Sequence, residues 1–212
     1  MTLPSSGLIT INDRGARSAT TFGSVEAGGG NMVFIKKLTA SSSATLSFVD
    51  GASSVVLDST YKEYMFTFNN IHPATDNAEF SFQGNAAGGS GYNETITSTQ
   101  FETYHTEDGT STSLAYKSAR DQAQGTGFQT LSLPTHENDN GASGYLHLFN
   151  PSSTTFVKHF LFTGMTDASG DTARPTYAAG FGNTTSAVDA IQFTPSAGTI
   201  DAGTIQLFGV VS

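Results

Sequence analysis

Large apolar residues recur at every second position along this chain, and that period restricts its fold more than any other feature. Tyr64, Phe66 and Phe68 share one parity, while Glu63, Met65 and Thr67 take the other. Successive side chains of a strand point to opposite faces, so the spacing predicts a half-buried β-strand. The same phase links Ala44, Leu46 and Phe48, then Phe80 and Phe82, then Ile191 and Phe193, then Ile205, Leu207 and Gly209. Residues 143–149 depart from it. There Tyr145, His147 and Phe149 share one side and Leu146 and Leu148 the other, so both faces are apolar. Such a strand lies centrally in its sheet or forms an interface.

Turn chemistry separates these runs. Pro73, which lacks a backbone donor, places a connector over 69–76, and 86–91 reads as a glycine-rich loop. Asn150-Pro151-Ser152-Ser153 joins 143–149 to 155–165 as an antiparallel hairpin, in which Phe156, His159, Phe160 and Phe162 need cover from a second layer. Residues 92–106 hold one or two strands, with Phe101 and His105 on one parity and Tyr104 on the other. Only the short stretch 114–124 is compatible with a helix. About ten strands without helical crossovers require antiparallel connections. The expectation is an all-β, antiparallel β-sandwich, jelly-roll-like, over residues 32–212, preceded by an N-terminal extended arm over 1–31. The arm is too short for a core of its own and needs its own domain or a neighbouring subunit to pack on. Its docking candidates are Leu8, Ile9, Ile11, Phe22 and Val25.

Charge narrows the function. Nine Lys+Arg stand against eighteen Asp+Glu, a net charge of -9, and no basic stripe exists. A nucleic-acid partner, which requires neutralised phosphates, is not expected. The absence of cysteine removes disulfides, thiolate metal sites and thiol nucleophiles. No secretion signal opens the chain and no apolar run reaches transmembrane length, so membrane insertion is not expected either.

Chemistry-bearing clusters are sparse. Glu102, Glu107, Asp108 and Glu137 could supply a carboxylate pair for glycoside hydrolysis, but all lie in polar segments where solvated surface is the default. No Gly-x-Ser-x-Gly elbow supports a serine nucleophile. His72, His105, His136, His147 and His159 form no short metal-ligand pair, although His147 and His159 fall on adjacent strands. The oxygen-rich stretches 136–141 and 167–171 do not follow a regular calcium loop. No catalytic residue, metal or cofactor is therefore expected. Tyr92, Asn93, Tyr104 and His105 are the candidates for glycan contact.

Several segments resemble a family of uncharacterised tailed-phage proteins common in marine viruses. They are 61–76, Gly88-Gly89-Ser90-Gly91-Tyr92-Asn93, 145–153, 180–187 through Phe193, and 203–210. The resemblance covers roughly residues 40–210, and its most distinctive parts are Asn150-Pro151-Ser152-Ser153 and the closing Gly203-Thr204-Ile205-x-Leu207-x-Gly209. It implies a virion component: a tail-fibre or host-contact protein, or alternatively a head fibre or capsid decoration protein. The arm would bind other virion proteins, and the body would meet host surface glycan. Low charge, strands apolar on both faces and the small arm together predict a homo-oligomer, and the resemblance favours a trimer. The alternative of a different class is a glycan-binding or glycan-degrading domain.

Overall fold

The computed structural model describes residues 31–132, 140–168 and 172–211. The docking candidates Leu8, Ile9, Ile11, Phe22 and Val25 lie outside them, as do Glu137 and His136. The described residues form strands β1 (Met32–Thr39), β2 (Leu46–Val49), β3 (Glu63–Pro73), β4 (Phe80–Ala86), β5 (Ile96–Thr106), β6 (Thr112–Tyr116) and β7 (Ala123–Gly125). These are followed by β8 (Gln129–Ser132), β9 (Ala142–Phe149), β10 (Lys158–Ala168), β11 (Thr172–Gly182), β12 (Val188–Pro195) and β13 (Ile200–Val210). A single 3-10 turn, Ser118–Arg120, is their only helical element.

The fold is all-β, with two antiparallel sheets in a sandwich-like arrangement. The large sheet has nine strands, in the order β1-β13-β3-β9-β10-β11-β5-β6 with β7 also on β5. The small sheet has four, ordered β2-β12-β4-β8. The predicted alternation supplies the filling between them. Tyr64, Phe66 and Phe68 of β3, Leu146 and Leu148 of β9, and Ile205 and Leu207 of β13 are buried on the inner face of the large sheet. Phe48, Phe80, Phe82 and Phe193 meet them from the small sheet. Edge-to-face ring pairs cross the gap, among them Phe48–Phe66 at 5.3 Å, Phe66–Phe193 at 5.3 Å and Phe82–Phe160 at 5.0 Å between centroids.

The structure corrects several expectations. There are thirteen described strands rather than about ten. The connector expected over 69–76 is strand as far as Pro73, because Asn70 adopts a positive φ of 49° and forms a bulge, after which Ile71 re-enters the core. Gly203 sits opposite this bulge at φ 109°, where a Cβ would lie 2.4 Å from the Asn70 carbonyl oxygen. The 114–124 stretch holds the end of β6, the 3-10 turn and the start of β7 instead of a helix. Its outward Leu114 and Tyr116 follow the strand period. Ala44 is exposed although Leu46 and Phe48 of its phase are buried, since pairing to β12 begins only at Leu46. Phe156 is 65% exposed and His159 faces outward, so of the four residues expected to need cover only Phe160 and Phe162 receive it. The predicted 143–149 strand is β9, which lies between β3 and β10 in the interior of the large sheet.

Tyr64 gives the core a measurable pH dependence. Its ring is buried, and its hydroxyl donates to the Asp58 carbonyl oxygen at 2.9 Å. Burial pushes the phenol from 10.0 up to about 12. The folded state thus holds this proton after the unfolded chain has lost it. The corresponding stability is fully present below pH 10.0 and is lost as pH rises through about 12. Tyr64→Phe is expected to cost about 1 kcal/mol at neutral pH through the lost hydrogen bond. It should also flatten the decline in alkali. Urea unfolding of both proteins at pH 8 and pH 11 checks this, and parallel declines would assign the alkaline loss to other groups.

Candidate functional site

The outer face of the large sheet is the most unusual surface of the described protein. Register places Phe34, Phe208, Met65, His147, Leu161 and Ala179 in one cross-strand row from β1 to β11. The row on one side holds Val210, Glu63, Phe149, His159 and Phe181. On the other side run Gln206, Thr67, Tyr145, Thr163, Tyr177 and Phe101, closed by Tyr116 on β6. A fourth row carries Met165, Pro175 and Leu114. Phe34, Leu114, Tyr116, Tyr145, Leu161 and Met165 are all exposed.

Neighbouring rings hold one another in place across this face. Phe101 stacks on Tyr177 with centroids 5.0 Å apart, and His147 stacks on Phe149 at 6.1 Å. Phe34 meets Phe208 edge-on at 5.7 Å, as His159 meets Phe181 at 6.3 Å. A hollow of about 740 Å³ opens between Phe149, His159, Leu161 and Phe181, where the small Ala179 leaves space. Charge is nearly absent. The first three rows contain Glu63, which accepts a hydrogen bond from His147 Nδ1, and Lys37 at the β1 end. Eight strands at ~4.8 Å spacing and four rows at ~6.8 Å give the whole face, polar Thr67, Thr163 and Gln206 included, on the order of 1,000 Å².

The expected glycan residues do not form one cluster. Tyr92 and Asn93 precede β5, whereas Tyr104 and His105 lie near its far end, with about 25 Å of extended strand between Ile96 and Tyr104. Tyr104 and His105 also point to opposite faces. The Tyr104 hydroxyl bonds to Ser111 Oγ at 3.1 Å, and the Arg174 guanidinium sits 5.9 Å from its ring centre. His105 lines a shallow outer depression with Glu107, Met165 and Asp167.

The candidate carboxylates are likewise separated. Glu102 is 2% exposed on the inner side of β5, where it pairs with Arg120 Nη1 at 3.1 Å and Lys117 Nζ at 2.5 Å. Arg120 Nε also donates to Glu79 at 2.9 Å, and Glu79 accepts from Thr130 Oγ1 at 3.1 Å. This cluster fastens the segment between β6 and β8 to β4 and β5. Asp108 instead closes the β5–β6 turn, accepting from the Thr110 hydroxyl at 2.7 Å and its backbone N–H at 2.9 Å. Those bonds hold its carboxyl below the usual range. The histidines have separate partners: His72 bonds to Asp201 at 2.7 Å, His147 to Glu63, and His159 packs on Phe181. No group of three or more His, Asp or Glu side chains among the described residues is placed to hold a metal ion.

Sequence reading missed Lys158, whose ammonium is buried and donates to the carbonyl oxygens of Ser153 and Phe156, both at 2.7 Å, and Thr184 at 3.1 Å. Burial pushes its pKa below the usual lysine range, with the charge of Glu94 acting the other way. A signal was present, since Lys158 shares the inward parity of Phe160 and Phe162. It ties down the turn expected at Asn150-Pro151-Ser152-Ser153. Compared with protein-family models, curated proteins and solved structures, the chain finds no match.

Proposed function

We propose that this chain is a non-enzymatic structural component of a phage virion, a tail-fibre or host-contact protein assembled as a homo-oligomer. The observation that carries the reading is the bare outer face of the large sheet. Monomeric soluble proteins rarely expose apolar patches beyond about 300–600 Å². A ring-covered, charge-poor face of this extent is the surface of a part that is built into something. The sequence resemblance supplies the virion location.

The finer, jelly-roll reading draws support from strand order. β1, β13, β3 and β9 are neighbours in the large sheet, and β2, β12, β4 and β8 are neighbours in the small one. The chain therefore passes between the sheets at β1–β2, β2–β3, β3–β4, β4–β5, β7–β8, β8–β9, β11–β12 and β12–β13, as interleaved Greek keys require. The pairing of Glu102 with Arg120 and Lys117 favours an anchoring role for that carboxylate over a catalytic one.

Sedimentation mass of the full chain, and of a chain without residues 1–30, tests the assembly. An oligomer in both is the expected result and places self-association in the β body. A full-length monomer would overturn the homo-oligomeric reading.

A further inference from the structure

We infer that a second copy of this chain covers the outer face, with the β1–β13–β3 half of one copy lying on the β11–β5–β6 half of the other. The inference rests on the homo-oligomeric reading above and names the surface and pairing that serve it. Three properties of the face select a second copy as its occupant.

The first is size. A stable interface removes about 800 Å² from each partner, and the face offers on the order of 1,000 Å². The second is charge. At a net charge of -9, two copies repel through most of their surfaces. Here they meet with Glu63 already paired to His147, so no lone carboxylate is buried. Depletion of charge around aromatic and methionine side chains is also the composition of an interface core.

The third property sets the pairing. The β1 half presents Met32, Met65, Phe34 and Phe208, mostly adaptable or edge-on groups. The β6 half presents flat slabs, Phe101 stacked on Tyr177 with Tyr116 beside them. Methionine sulfur packs favourably against aromatic rings, and with β3 laid on β11 Met65 lies over Ala179, one row (~6.8 Å) from Tyr177 and within reach of its ring edge. Charge at the two margins agrees. Lys37 ends one row on β1, and the same row ends on β6 at Tyr116, whose hydroxyl donates to Asp121. A symmetry axis parallel to the strands brings the Lys37 margin onto the Asp121 margin. Pairing like halves would set Lys37 against Lys37.

The test uses the full chain with Met65→Lys in one half and Tyr177→Glu in the other, followed by sedimentation velocity of each variant and of their equimolar mixture. Each single variant is expected to weaken association at least tenfold, and the mixture to associate more tightly than either. Phe34→Lys and Leu114→Glu, at positions 56% and 71% exposed, probe each half singly where the fold is least disturbed; they lie two rows apart, so each alone should weaken association without recovery in their mixture. If no variant shifts the mass of an oligomeric wild type, this face is not the interface and only the present inference fails. Dissociation without recovery in the mixture of Met65→Lys and Tyr177→Glu overturns the pairing of unlike halves. A wild-type monomer removes the inference together with the homo-oligomeric reading.

Discussion

Phe193→Ala is expected to destabilise the protein by about 3–5 kcal/mol, the range for removing a large aromatic side chain from a packed core. Phe193 has no exposed surface and lies on β12, the strand between β2 and β4. Five rings surround it: Phe48 and Phe82 from the small sheet at 6.2 and 6.4 Å, Phe66 and Phe68 from the large sheet at 5.3 and 5.2 Å, and stacked Phe80 at 5.7 Å. Rings held from both sheets cannot all collapse into the space left by one of them, so the cavity term adds to the lost transfer energy. Urea unfolding with an unchanged slope gives the loss directly. Phe156→Ala, at an exposed loop position, is the matched control and should stay within about 0.5 kcal/mol. A Phe193→Ala loss no larger than the control's would move the centre of the core elsewhere.

The second large effect concerns charge. Arg120→Met removes the guanidinium from between Glu79 and Glu102 and leaves Glu102 buried with Lys117 alone. Breaking a buried pair from one side costs about 3–5 kcal/mol, and the remaining lysine points to the lower end, about 3 kcal/mol. Glu102→Gln in the Arg120→Met background should recover part of the loss, because the uncompensated carboxylate is then gone. The same urea experiment on the two single variants and the double variant measures the coupling. A cost below about 0.5 kcal/mol for Arg120→Met would mean that the cluster is solvated like an ordinary surface pair.

Sequence period and structure agree where one face of a strand is apolar and the other is not. β3 is the clearest case, with Tyr64, Phe66 and Phe68 inward as their spacing requires. β4 was only half legible. Phe80 and Phe82 alternate as expected, but Ser81 and Gln83 are buried too. Gln83 reaches the carbonyl oxygens of Glu94 and Gly127, at 2.9 and 2.8 Å, so loops far along the chain cover a face that reads as polar. Turn residues misled at Asn69–Pro73, where a left-handed Asn70 absorbs the irregularity without ending the strand.

The candidate site was legible in one strand and not beyond it. Tyr145, His147 and Phe149 marked β9 as apolar on both sides. Met65, Leu161, Tyr177 and Phe208 join them only through register, which no single strand records. Tyr92 and Asn93 precede β5 while Tyr104 and His105 lie near its far end, where closeness in sequence along an extended strand is distance in space.

Strand order has a consequence for how the chain is made. β12 joins β2 to β4, and β13 joins β1 to β3, so the interior of each sheet is completed by the latest strands described. On an emerging chain, β1 and β2 would wait for β13 and β12, their only ladder partners. β3 and β4 gain β9 and β8 sooner but lack their second partners until those same last strands, with Phe48 and Phe66 incompletely covered meanwhile. Contacts so distant in sequence make folding slow and leave open edges to pair wrongly. The β body must therefore fold largely after β13 has emerged, and chains that have not yet reached it are the form most in need of a chaperone.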